Sequence, residues 1–173
     1  MQTLVVHGAG YVGLTGGIHA ALAGYKVIMY DPDKNVVDAI NAGKPKANEY
    51  LGYIDAKVEV LVSGNMLVAT NDYASVQSEK IHLLAVPTEK GDTPCMDIVK
   101  KCILNLHTTV PDGGLIIIES TLQPKTIDSL HLDRVYTGKI HLAVCPRLDW
   151  FGDKNKNVGN LYIGTKFQVP IYK

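Results

Sequence analysis

Apolar residues in this chain gather into short unbroken runs, and between the runs they recur every three or four positions. The runs Leu4–Val6, Lys26–Tyr30, Met66–Thr70, Ile81–Val86, Leu115–Ile118 and Ile140–Val144 have the length and continuity of strands covered on both faces, where alternation with polar residues is not needed. Between the first two, Tyr11 to Ala23 reads as a helix, with Val12, Gly16, Ala20 and Ala23 on the face expected to lie close to the sheet and Gly24 as its stop. Asp33 is a cap for a second helix through Val36, Val37 and Ile40, ended by Gly43 and Pro45. A third amphipathic segment spans Glu49 to Leu61. A fourth, from Cys95 to about His107, carries Ile98, Cys102 and Leu106 at helical spacing. This alternation of strand and helix predicts an α/β fold, a doubly wound parallel sheet with right-handed crossovers in a single domain. Its expected extent is residues 1–148. Residues 149–173 are a polar loop and C-terminal tail, in which Leu161, Tyr162, Ile163, Phe167, Val169, Ile171 and Tyr172 are expected to fold back as an edge strand or join a partner.

The first strand runs directly into Gly8-Ala9-Gly10-Tyr11-Val12-Gly13, which opens the first helix. Between a strand and a helix, a G-x-G-x-x-G turn has a specific physical purpose. Gly8 permits the tight turn, Gly10 lets the backbone approach a pyrophosphate, and Gly13 allows helix and sheet to pack closely. The amides at the start of the first helix, where Tyr11 and Val12 stand, favour an anion. Asp31 ends the second strand roughly 20 residues beyond the glycines, where a carboxylate accepts hydrogen bonds from the adenosine ribose. The sheet is therefore expected to be Rossmann-like and the cofactor to be NAD. NADP would bring a 2′-phosphate against Asp31, and Lys34 is the nearby cation that would favour it.

Composition narrows the partners. Lys plus Arg and Asp plus Glu number 17 each, 46% of the residues are hydrophobic and the mean hydropathy is +0.06. No basic footprint points to nucleic acid or an anionic membrane, and no apolar run reaches the ~18 residues of a membrane span. Without a basic leader ahead of the first strand, a cytoplasmic location is expected. Cys95, Cys102 and Cys145 match neither a disulfide framework nor a metal knuckle and are read as small buried apolar residues. The histidines, His7, His19, His82, His107, His131 and His141, are scattered without metal-ligand or triad spacing. They are read mostly as surface or strand-end residues, and no metal site is expected.

Several strand ends together resemble the N-terminal domain of the nucleotide-sugar dehydrogenases, the UDP-glucose, UDP-N-acetylmannosamine and GDP-mannose dehydrogenase family. The elements are the glycine turn through Leu14, Tyr30-Asp31-Pro32-Asp33 with Ile40-Asn41-Ala42-Gly43, Leu67-Val68-Ala69-Thr70-Asn71-Asp72, Val86-Pro87-Thr88, Glu119-Ser120-Thr121 and Cys145-Pro146. The Cys-Pro pair, with Asn160-Leu161-Tyr162-Ile163-Gly164 after it, is most similar to the N-acetylmannosamine branch. The resemblance implies that Val86, Pro87 and Thr88 line the coenzyme crevice and that Thr121 holds a water or substrate oxygen beside the nicotinamide, its one catalytic assignment. The other reading of Thr88 and Thr121 is that their hydroxyls cap the next helix or turn. For Glu119 the alternative to chemistry is acceptance of hydrogen bonds from loop amides.

Three departures stand beside these matches. Arg147 follows Pro146 where the family has a glutamate used in the chemistry, and a guanidinium cannot act as a base. Asp149 could substitute only in a rebuilt loop. Lys125 replaces a glycine in the turn Thr121-Leu122-Gln123-Pro124-Lys125-Thr126, a place that calls for close approach or positive φ. The sugar-nucleotide domain with its cysteine nucleophile has no counterpart in these residues, and Cys145 is not that nucleophile. Two functions are consistent with the pattern. The chain is the NAD-binding unit of a nucleotide-sugar dehydrogenase, with a substrate domain or a second copy as partner. Alternatively, it is a stand-alone, non-catalytic NAD-binding or interaction module derived from such an enzyme. In either case the isolated chain is expected to be inactive on sugar nucleotides.

Overall fold

A computed structural model of the chain describes residues 1–45 and 58–146. The elements are β1 (Thr3–His7), α1 (Tyr11–Leu22), β2 (Lys26–Tyr30), α2 (Lys34–Asn41), α3 (Val58–Ser63), β3 (Leu67–Thr70), β4 (Ile81–Leu84), the short hairpin β5 (Glu89–Lys90) and β6 (Thr93–Pro94), α4 (Asp97–Thr109), β7 (Leu115–Ile118), α5 (Asp133–Tyr136) and β8 (His141–Val144). Six strands form one parallel sheet in the order β3-β2-β1-β4-β7-β8. The chain starts in the middle of the sheet, winds out to one edge, then returns to wind out to the other, so the direction reverses between β1 and β4.

The register shows that the sheet is covered on both faces. Leu4 and Val6 of β1 pair with Val27 and Met29 of β2, and Val6 pairs with Leu83 of β4. All five belong to a core shared with α1, α2 and α3. Leu84, Ile116 and Ile118 point the opposite way and belong to a second core with α4 and α5. Because side chains alternate along a strand, adjacent Leu83 and Leu84 serve different cores, and the strands need no polar face. Burial of each large aliphatic side chain contributes about 1.5–3 kcal/mol relative to exposure.

Helix ends follow the punctuation in the sequence. The Asp33 side chain accepts from the Asn35 amide at 2.8 Å and caps α2. Gly24 (φ 94) and Gly43 (φ 72) close α1 and α2 with paired backbone bonds, Tyr25 N to Ala20 O and Lys44 N to Ala39 O among them. Two helix faces differ from expectation. In α1 the buried residues are Gly13, Leu14, Thr15, Gly17, Ile18 and Ala21, whereas Val12, Gly16 and Ala20 are half-buried and Ala23 is exposed. The helix is turned so that Gly13 and Gly17, one turn apart, meet the sheet. A Cβ on Gly17 would lie 2.6 Å from Met29 Sδ. In α4, Leu106 is buried as expected, but Val99 and Ile103 face inward in place of Ile98, which is 47% exposed, and Cys102, which is half-buried.

The cysteine expectation also needs correction: Cys145 is buried, but Cys95 and Cys102 are only half-buried. The segment expected from Glu49 to Leu61 lies outside the described residues up to position 57, and from Val58 it forms α3. Arg147, Asp149 and the apolar tail also lie outside them.

Lys125 sits exposed at φ 65, in the left-handed region where an L side chain crowds the following carbonyl. The glycine expected there is therefore replaced by a residue in the glycine's own conformation. Lys125→Gly should stabilise the domain by about 0.5–1 kcal/mol, because relief of that crowding outweighs glycine's extra unfolded-state entropy. Thermal unfolding should show a rise of ~1–4 °C, and a fall in midpoint would contradict the strain.

Candidate functional site

A cleft of about 680 Å³ opens at the carboxyl ends of β1 and β4, where the winding direction reverses. Such a reversal leaves neighbouring loops diverging from adjacent strands, which makes a crevice. One wall is the glycine turn and the start of α1. Asp31, Val36 and Pro45 form one end, and the loops after β4 and β7 form the other.

Each glycine of the turn is needed for a different reason. Gly8 adopts φ 88, and a Cβ there would lie 2.5 Å from Ala85 O, so neither conformation nor space admits a side chain. Its amide donates to Tyr30 O at 2.9 Å and ties the turn to β2. Gly13 would bring a Cβ to 1.9 Å from Gly8 O and 3.3 Å from Ala85 Cβ, so its bareness lets α1 sit directly on the turn. Gly10 caps α1 at φ −69 and ψ −170, an ordinary extended conformation, and a Cβ on it would meet nothing within 4 Å. What Gly10 leaves open is the cleft itself, in front of the first amides of α1. This cradle fits a phosphate group, with the helix dipole behind it.

Asp31 does more than its sequence position implied. Its Oδ2 accepts from the Ala9 amide and its Oδ1 from the Asp33 amide, both at 2.9 Å. The carboxylate thus braces the middle of the glycine turn against the end of β2, and each oxygen keeps acceptor capacity for a hydroxyl in the cleft. Lys34 is turned to Asp38, with Nζ within 2.6 and 2.7 Å of its two carboxylate oxygens. The pair is exposed and contributes little to stability, but it directs the local cation to a carboxylate of its own helix.

Of the residues expected at the site, Gly8, Gly10, Tyr11, Val12, Asp31, Val86, Pro87, Thr88 and Thr121 all line this cleft. Gly13 lies behind it and supports it. Glu119 lines the cleft floor and has one carboxylate oxygen shut off from solvent. Burial, and then the nearby Glu119 charge, push the Cys145 thiol above its usual range, which keeps it protonated and inert.

Ala9, Val36, Pro45, Ala85, Glu89 and Ser120 also line the cleft, and sequence reasoning did not single them out as site residues. Ser120 carried a signal in the Glu-Ser-Thr run.

His7 ends β1, as a strand-end reading allows, but it and His82 are buried together. His7 and His82, 75 positions apart, are 2% and 0% exposed and hydrogen-bonded to each other at 2.9 Å across β1 and β4. His82 Nε2 lies 2.8 Å from Glu79 O, which can only accept. His82 is therefore protonated at Nε2, its Nδ1 accepts, and His7 carries its proton on Nε2. Burial, with His82 beside it, holds the His7 pKa down to about 3, and burial also lowers that of His82. The pair is neutral and packs directly behind Gly8, with the Tyr30 and Tyr73 rings 5.5 and 6.2 Å from that of His7. Among the described residues no three His, Cys, Asp or Glu side chains form a metal-ligand set, and no helix is long and apolar enough to cross a membrane.

Comparison with known proteins gives the same outline. The family model of the UDP-glucose/GDP-mannose dehydrogenase family, NAD binding domain, matches residues 2–159. The chain is 35% identical over 153 residues to UDP-N-acetyl-D-mannosamine dehydrogenase of Methanococcus aeolicus, covering 84% of this chain and 34% of the relative. It is 34% identical over 122 residues to the Yersinia pestis protein of that name, covering 69% of this chain and 28% of the relative. It superposes on the UDP-D-ManNAc dehydrogenase structure from Pyrococcus horikoshii with a TM-score of 0.75 at 26% identity, over 86% of this chain and 37% of that one. The chain spans about a third of the length of the curated relatives it matches. With the glycine turn, the acidic end of β2 and the strand-end motifs all meeting in one cleft of a sheet of this topology, the chain belongs to the UDP-glucose/GDP-mannose dehydrogenase family and contains its NAD-binding domain.

Proposed function

We propose that this domain binds NAD in preference to NADP and serves as the coenzyme half of a UDP-sugar dehydrogenase. The observation that carries the preference is Asp31, which lines the cleft while Lys34, three residues on, is turned onto Asp38. A 2′-phosphate would meet this carboxylate, and Lys34 already has a carboxylate partner. In this reading the adenosine half lies toward Asp31, Val36 and Pro45, the pyrophosphate rests on the first turn of α1, and the nicotinamide half reaches Val86, Pro87, Thr88 and Thr121. The bound coenzyme supplies a hydride acceptor, and the residues of this chain orient it. UDP-N-acetyl-D-mannosamine, the sugar nucleotide in the names of the relatives above, is the proposed substrate of the whole enzyme. Among the described residues no cysteine lines the cleft, so a covalent acyl step has no thiol here.

Calorimetric titration with both coenzymes tests the reading. NAD should bind more tightly. Asp31→Ala should weaken NAD by on the order of 1–3 kcal/mol, since it removes a charged acceptor and the brace on the Ala9 amide together. Equal affinity for the two coenzymes, or an unchanged NAD affinity in the variant, would refute it.

A further inference from the structure

We propose that Ser120 is a positioning residue for the nicotinamide half of the coenzyme, a role that rests on the coenzyme reading above. The backbone ladder between β4 and β7 ends at the Leu84 and Ile118 pair. Just past it, the Glu119 and Ser120 amides both donate to Leu84 O, at 2.9 and 3.2 Å. Beyond that point the two strands must part for a crevice to exist. There the Ser120 hydroxyl takes over from the backbone. Its Oγ accepts from the Val86 amide at 2.9 Å and donates to Val86 O at 2.8 Å. The hydroxyl has one proton, and Val86 O receives it rather than Leu84 O, which lies 3.4 Å away and already accepts two amides.

One buried side chain, 7% exposed, therefore holds both polar groups of the Val86 residue. It links the two loops at that end of the cleft, with Val86, Pro87 and Thr88 on one side and Thr121 on the other. A serine is short enough to hold them close, and its bonds leave the strands separated above it. The Asp31 end of the cleft is fixed independently, through Ala9 and Asp33. Ser120 should thus govern only one half of the ligand.

Comparing NAD with ADP-ribose, which lacks the nicotinamide, tests this role by calorimetry on the full chain. Ser120→Ala should weaken NAD roughly tenfold, about the loss of one to two neutral hydrogen bonds, and leave ADP-ribose affinity within about twofold. A merely structural role would lower both affinities together, and that result, or no change in either, would overturn the proposal. If alanine prevents folding, Ser120→Cys carries the comparison, since its thiol is a weaker donor and acceptor and should give a smaller loss confined to NAD. The same two outcomes count against it there. If the unaltered chain bound neither ligand, the coenzyme assignment itself would fall, and this role with it.

Discussion

Gly13→Ala should cost the fold about 3 kcal/mol or more, whereas Gly10→Val should leave stability within ~0.5 kcal/mol and reduce NAD affinity at least ~100-fold. Both glycines belong to one six-residue turn, but they serve the different ends expected of them. The Gly13 methyl would sit 1.9 Å from Gly8 O, and that carbonyl cannot withdraw, because Gly8 is itself packed against Ala85 O and tied to Tyr30 O. Either α1 lifts from the sheet or the turn is rebuilt, and both lose buried contacts of Leu14 and Ile18. At Gly10 the backbone is already in a region open to any residue and the space is empty. A valine there is accommodated by the protein but fills the place a pyrophosphate would take. Denaturant unfolding of both variants, paired with NAD titration, checks the contrast. Equal stability losses, or full NAD binding by Gly10→Val, would refute it.

Acid should destabilise the domain earlier than its carboxylates alone would require, through the buried pair His7 and His82. In the unfolded chain a histidine takes up its proton near 6.5, while in the fold His7 resists until about 3 and His82 is lowered too. Between these limits the unfolded state binds more protons, so stability is full above 6.5 and falls as the pH drops toward 3. The expected slope is on the order of 1 kcal/mol per pH unit from His7, with His82 adding in the same direction. The groups facing His7 are Tyr30 and Tyr73, whose pKa values burial raises, so neither supplies a compensating charge. Asp112, exposed, is held below its ordinary value by its hydrogen bond from Arg134, so any effect of it on stability has the same sign as that of the histidines. His82→Gln keeps a donor for Glu79 O and an acceptor for His7 but cannot titrate, so it should reduce the slope. Urea unfolding at a series of pH values measures this, and a flat profile between neutrality and pH 5 would exclude the mechanism.

The six strands of the parallel sheet, the α2 cap at Asp33 and the stops at Gly24 and Gly43 were legible in the residues, because they depend on near neighbours, whereas the short β5–β6 hairpin was not. The glycine turn and Asp31 were legible too, and it was the resemblance that put Val86, Pro87, Thr88 and Thr121 in the same crevice, at strand ends that point the same way in a parallel sheet. Helix orientation was not legible. In α1, small residues occur all round the helix, and only the fit of Gly13 and Gly17 onto Gly8 O and Met29 selects the inward face. In α4, Ile98 and Val99 are both apolar, and contact with the second core chose Val99. The second task of Asp31, the Ser120 link to Val86 and the His7–His82 pair join residues 22, 34 and 75 positions apart. Such pairings arise from strand register, which brings chain segments side by side through backbone hydrogen bonds that leave no trace in local composition. Local physics therefore determined which elements form and which ends carry chemistry, while tertiary register decided which side chains meet to hold those ends in place.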